Sequence, residues 1–165
     1  MIMKAIRLHL LLCTGLLFFV MAAASIEPAY AERVPANAPE IQYFGRWDDK
    51  GGVHRCGYGA TYIKANFTGT SLWADLIGKD IWWRVSIDGS AFRRLRPQGK
   101  HTLLVKQLPP GNHKVLLVRS TEEEAGISEF RGFDLDDGAA IVAPDGLKTR
   151  RLEFVGDSIT AGAES

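Results

Sequence analysis

Cysteine is nearly absent from this 165-residue chain: Cys13 and Cys56 are the only two. Cys13 lies inside an apolar N-terminal run, so no internal disulfide framework is available to the folded part. Charge of one sign is lacking as well. Twenty Lys and Arg stand against 19 Asp and Glu, for a formal net charge of +1. Bulk charge therefore gives no steering toward nucleic acid or another polyanion. No stretch combines a 3.6-residue apolar period with helix caps, and no internal repeat is visible. Metal-ligand spacing is missing too. His54 and Cys56 stand close together in HRCGYG, but neither has a CxxC or HxxxH partner, so neither a metal nor a cofactor is expected. Cys56 reads as a small buried filler, with a reactive thiol as the competing reading. What remains is 46% hydrophobic and 24% charged, ordinary for a folded domain.

The N-terminus carries a targeting pattern. Lys4 and Arg7 precede an apolar run from Leu8 to Ala24, and Ala29-Tyr30-Ala31 supplies small residues at alternate positions before Glu32. That is the anatomy of a secretory signal peptide over residues 1–31, cleaved after Ala31. A retained membrane anchor is the competing reading, and the small-residue site argues against it. The expected product is secreted or periplasmic, with no stable membrane anchor. Loss of Lys4, Arg7 and Glu27 leaves it neutral.

Residues 32–40 (ERVPANAPE) are polar and proline-broken, and read as a linker or ragged start. Residues 41–147 read as strand after strand. Ile63, Ala65 and Phe67 alternate with Tyr62, Lys64 and Asn66. Leu72, Ala74 and Leu76 alternate with Ser71, Trp73 and Asp75. Ile81, Trp83 and Val85 alternate with Trp82, Arg84 and Ser86. Period two means one buried face and one wet face. In Val115–Val118 both faces are apolar, which predicts burial on both sides. Gly69, Asp88-Gly89, Pro109-Pro110-Gly111-Asn112, Asp137-Gly138 and Pro144-Asp145-Gly146 mark the turns. Short strands without intervening helices predict an antiparallel β-sandwich, with a jelly roll preferred.

Several side chains on this scaffold invite a functional reading. Trp83 shares a face with Ile81 and Val85 and belongs to the core. Trp73 and Trp82 share faces with polar residues, so they are candidates for stacking on sugar rings, with core or interface packing as the alternative. Arg93, Arg94 and Arg96 fit a solvated edge strand. His113 fits a surface or strand-end role. Asn66-Phe67-Thr68 matches a glycosylation sequon but falls within a strand.

From residue 148 the chain changes character. A polar connector leads into Leu152-Glu153-Phe154-Val155 and at once into Gly156-Asp157-Ser158-Ile159-Thr160-Ala161-Gly162. A strand running into a glycine turn and a helix start would place Ser158 where backbone amides and the helix dipole stabilise an oxyanion. Thr160 in place of a second glycine excludes the G-x-S-x-G elbow. The run FVGDSITAG resembles the first block of the SGNH, or GDSL-type, esterases. Upstream lie YFGRW (43–47), YIKANFTGTSL (62–72), IDG (87–89), LPPGNHKV (108–115), RSTE (119–122) and FRGF (130–133). In this order they look like carbohydrate esterase family two, the acetyl-xylan-esterase-like enzymes. That resemblance implies an N-terminal jelly-roll sandwich over 41–147, then an α/β SGNH hydrolase domain of which 148–165 is only the first strand and turn.

By the same resemblance Ser158 is the nucleophile and a backbone oxyanion donor, with Gly156 and Asp157 as motif support. The histidine base and further oxyanion donors belong to later blocks. The implied substrate is an acetylated polysaccharide, the implied intramolecular partner is the missing hydrolase domain, and the 165 residues alone are expected to be inactive. A non-catalytic carbohydrate-binding sandwich is the alternative.

Overall fold

The computed structural model of the chain describes residues 32–121, 126–146 and 155–156. They form strands β1 (Glu32–Pro35), β2 (Gln42–Phe44), β3 (Asp48–Lys50), β4 (Val53–Cys56), β5 (Tyr62–Gly69) and β6 (Leu72–Ile77). Then come β7 (Trp83–Ile87), β8 (Arg93–Leu95), β9 (Gly99–Val105), β10 (Gly111–Arg119), β11 (Ser128–Leu135) and β12 (Ile141–Val142). No helix occurs among the described residues.

Two six-stranded sheets face each other. The first runs β3-β4-β11-β6-β9, with β1 also paired to β11. The second runs β12-β5-β10-β7-β8, with β2 also paired to β5. Every pairing is antiparallel. The expected antiparallel sandwich is therefore the fold.

The period-two pattern makes the core. Ile63, Ala65 and Phe67 of β5, Trp83 and Val85 of β7, and Val115 and Leu117 of β10 point inward from the second sheet. Leu72, Ala74 and Leu76 of β6 and Phe130, Phe133 and Leu135 of β11 meet them from the first. Each large apolar side chain so buried contributes roughly 1.5–3 kcal/mol before entropy is counted.

Turn chemistry falls where expected. Asp88 and Gly89 both take positive φ (53° and 77°), and the Ser90 amide donates to the Ile87 carbonyl, closing the turn between β7 and β8. The chain leaves β5 at Gly69 (φ +106) beside an acceptor. Asp136 Oδ2 takes bonds from the Thr70 amide, the Thr70 hydroxyl and the Ser71 amide, each 2.8 Å.

Three expectations fail. Ser71, Asp75 and Ser86, expected on the wet face, are buried. Residues 32–40 are no linker. β1 pairs Glu32–Pro35 against Leu135–Gly132, and Ala36 is fully buried. Proline and charge are tolerated because β1 pairs only with β11, leaving its other edge open. The Val115–Val118 strand is not buried on both sides, since Leu116 and Val118 are only half-buried. Their face is the outside of the second sheet.

β1 docks where β11 bulges between Phe130 and Gly132. Gly132 has φ +134, and a Cβ there would drive into the Val34 carbonyl oxygen. Gly132→Ala should therefore destabilise the sandwich by about 1–3 kcal/mol in urea unfolding. An unchanged midpoint would mean that β1 does not seat on β11 at this position.

Candidate functional site

The outer face of the second sheet carries a chemically mixed surface of aromatic, apolar and cationic side chains. Its register is continuous. Phe44 opposes Tyr62, Tyr62 opposes Val118, Val118 opposes Arg84, and Arg84 opposes Arg94. This row crosses five strands, about 19 Å at the usual interstrand spacing. It begins with two aromatic rings and ends with two guanidinium groups. A second row, Gln42, Lys64, Leu116 and Ser86, runs beside it.

At the aromatic end the Phe44 and Tyr62 rings are parallel, with centroids 4.5 Å apart. The Lys64 ammonium lies 5.3 Å from the Phe44 centroid and 5.7 Å from that of Tyr62, within cation–π range. A groove of ≈ 1070 Å³ opens here, lined in part by Gln42, Phe44, Tyr62, Lys64, Lys114 and Asp145. Lys114 Nζ donates to Asp145 Oδ2 at 2.9 Å across its mouth. Apolar ring faces set among a few polar groups suit a ligand that is itself amphipathic.

At the cationic end Trp82 lies under two guanidinium groups, Arg94 at 4.5 Å and Arg96 at 5.1 Å from its centroid. Arg96 also pairs with Asp80 at 2.5 Å. Trp82 is thus half-buried beneath arginines rather than bare. Trp73 belongs to β6 of the first sheet and alternates with core residues Leu72 and Ala74. The two tryptophans therefore lie on opposite sides of the sandwich and form no common platform. Arg93 and Arg94 sit on β8, an edge strand, and with Arg96 are exposed, as their spacing implied. Gly156 is exposed, and Asp157 and Ser158 lie outside the described residues.

The remaining reactive groups are occupied by packing. Cys56 is buried, and its pKa is pushed up to about 11. Desolvation raises it, and the neighbouring Arg119 only partly opposes that. His54 stacks on Tyr43 with centroids 4.1 Å apart. His113 holds a strand-end position but is not a surface residue, being only 8% exposed. Its Nδ1 lies 2.7 Å from Asp88 Oδ2 and its Nε2 lies 2.8 Å from the Pro109 carbonyl.

Phe44, Tyr62 and Arg84 escaped the sequence reading. Tyr62 and Lys64 were legible as a wet face, but only the register shows Phe44 beside Tyr62 and Arg84 beside Arg94.

This fold has known relatives. The family model described as carbohydrate esterase 2 N-terminal matches residues 43–144. The chain belongs to that family. It is 33% identical over 127 residues to the cellulase/esterase CelE of Acetivibrio thermocellus, covering 74% of this chain and 15% of that protein. It is 32% identical over 128 residues to an acetylxylan esterase / glucomannan deacetylase of Cellvibrio japonicus, covering 78% of this chain and 32% of that protein. Among solved structures it superposes on a family two carbohydrate esterase from Clostridium thermocellum in complex with cellohexaose. The TM-score is 0.64 at 29% identity, over 73% of this chain and 38% of that one. The chain thus spans only a third or less of the curated relatives it matches, and its match is to the N-terminal domain of the esterase family.

The His113–Asp88 contact beside the groove makes a pH prediction. A carboxylate and a carbonyl both face the ring, so both ring nitrogens must donate and the imidazolium is favoured. His113's pKa is raised, chiefly by the Asp88 hydrogen bond and then by the Pro109 carbonyl. Asp88's is lowered. Partial burial pushes it upward, but the Lys114 amide and His113 outweigh that. The His113 contribution is complete below the ordinary histidine pKa and disappears as pH rises through the raised value. The Asp88 contribution disappears as pH falls through its lowered value. The melting-temperature difference between the parent and Asp88→Asn should be largest near about pH 5–6 and shrink on the alkaline side. A difference independent of pH would refute the ion pair.

Proposed function

We propose that this chain is the N-terminal part of a secreted carbohydrate esterase that removes acetyl groups from a polysaccharide, with Ser158 as the nucleophile. The observation that carries this reading is order along the chain. The family match ends at residue 144, and FVGDSITAG (154–162) follows after nine intervening residues. Both curated relatives are named as esterases, and one as an acetylxylan esterase and glucomannan deacetylase. Export is supported by the N-terminal pattern. Cleavage after Ala31 would remove none of the described residues of β1 (Glu32–Pro35).

The chemistry asked of Ser158 is acyl transfer. Its hydroxyl oxygen attacks the acetyl carbonyl while a base takes the proton. The sugar–oxygen bond to the acyl carbon then breaks, and the proton passes to the departing sugar hydroxyl. Water releases acetate in a second, similar step. The Ser158 backbone amide would be one oxyanion donor. By the family resemblance, the base and the other donors come from later hydrolase blocks. General-base help is worth on the order of 10²–10⁴-fold, and an oxyanion donor about 10²–10³-fold.

A second reading, a carbohydrate-binding sandwich without chemistry of its own, is favoured by the aromatic groove on the second sheet. The two readings separate in one experiment. Acetate release from acetylated xylan is measured for the 165-residue chain and for a version extended through a complete hydrolase domain. The expected result is background hydrolysis by the 165 residues and catalysis by the extended protein that disappears in Ser158→Ala. Hydrolysis that survives Ser158→Ala would assign the nucleophile elsewhere. An extended protein without hydrolysis would leave the binding reading.

A further inference from the structure

We propose that the outer face of the second sheet binds a polysaccharide bearing uronic acids, with a sugar ring laid against the Phe44–Tyr62 pair and a carboxylate taken by Arg84 and Arg94. The ligand's general class rests on the polysaccharide reading above, but nothing in this site depends on Ser158.

The case begins with an unfavourable pairing. Arg84 and Arg94 stand directly opposite each other on neighbouring strands, both exposed. Like charges at directly opposed positions destabilise a sheet. Other exposed cations on this face have partners: Lys114 has Asp145, Arg96 has Asp80, and Lys64, without an acid among the described residues, lies over the Phe44 and Tyr62 rings. Among the described residues, neither Arg84 nor Arg94 pairs with a carboxylate. Arg94 is instead positioned by its guanidinium resting over Trp82. Two adjacent guanidinium groups, one held in place by an aromatic plane, are a fork suited to a planar carboxylate.

The surroundings select the class of anion. Asp80 and Asp145 are taken up by Arg96 and Lys114, and along the row itself cations stand only at the Arg84–Arg94 end, so the face suits a chain whose charges are sparse rather than one with a charge on every unit. Two strand spacings, about 10 Å, separate Tyr62 from Arg84. The intervening position is Val118, half-buried and apolar. The row therefore reads as an aromatic surface, an apolar floor and an anion fork in line. An oligosaccharide can bridge it; a single sugar cannot.

The test is affinity electrophoresis of the 165-residue chain in gels containing glucuronoxylan, or the same polymer after reduction of its carboxyl groups to alcohols. Retardation by glucuronoxylan is expected. It should be roughly tenfold weaker on the reduced polymer and for the Arg84→Gln/Arg94→Gln double variant. Tyr62→Ala should weaken retention on both polymers. Because the double variant removes a repulsive pair, its melting temperature should stay level or rise by roughly 1–4 °C, so lost retention cannot be assigned to unfolding. Ser158→Ala should bind like the parent.

Equal retention on the two polymers, or by the double variant, would overturn the proposal. So would equal retention on polyglutamate, which would reduce the site to bulk charge. Retention by the 165 residues that vanishes in the extended protein would also overturn it, by assigning this face to contact with the hydrolase domain. Failure of the extended protein to hydrolyse acetylated xylan while retention persists would count against the esterase reading alone.

Discussion

One buried guanidinium ties the two sheets together. Arg119, the last residue of β10, is fully buried. Its Nη1 donates to the Cys56 carbonyl at 2.7 Å, its Nη2 to the Gly126 carbonyl at 2.8 Å and its Nε to the Thr121 carbonyl at 3.0 Å. Cys56 ends β4 in the first sheet, while Arg119 belongs to the second. Its own backbone is engaged as well: the Ala60 amide donates to the Arg119 carbonyl, and the Arg119 amide to the Thr61 carbonyl, both at 2.9 Å. An uncompensated buried charge would cost several kcal/mol, so the loops around Arg119 must keep their carbonyls aimed inward. That requirement constrains the chain from β4 to β5 and the placing of Thr121 and Gly126 after β10. A methionine could match its bulk but would leave those carbonyls without donors.

Once the sheets are held, their inward faces are filled and their outward faces are open to recognition. Tyr43 and Phe44 show the division within one short strand. Tyr43 turns inward, stacks on His54 and donates its hydroxyl to the Ala36 carbonyl at 2.6 Å. Phe44 turns outward onto Tyr62. Three residues on, the Trp47 indole donates to the Phe44 carbonyl at 3.0 Å, fixing the backbone that carries the exposed ring. The packing that stabilises the core thus also orients the groove.

Much of this was legible in the residues. Alternation in Tyr62–Phe67 separated inside from outside because a sandwich exposes only one face of each sheet, whereas in Leu72–Leu76 Asp75, on the expected wet face, is buried against Arg33. Asp88-Gly89 located a turn because few residues accept positive φ at both positions. β1 was not legible. Its ERVP sequence has no apolar alternation, since it is held by backbone pairing to β11 and by Arg33, which reaches Asp75 at 2.6 Å. Such a long-range ion pair leaves no local pattern. The exposed row was likewise hidden. Phe44, Tyr62, Val118, Arg84 and Arg94 lie far apart along the chain, and only strand order and register bring them into line.

A sum over the chain is blind to which face a charge occupies. Acids of the first sheet are drawn into its own structure. Asp75 and Asp134 are buried beside Arg33, and Glu129 pairs with Arg55 and Arg131. Such carboxylates cancel arginines in the total yet exert little field on the opposite side of the sandwich, where exposed charges are screened within about 8–10 Å. The second sheet's outer face therefore behaves by its own balance. There, among the described residues, Arg84, Arg94 and Lys64 pair with no carboxylate while Lys114 and Arg96 are matched. Recognition is decided over distances comparable to that screening length, so the charge that matters is the one counted face by face.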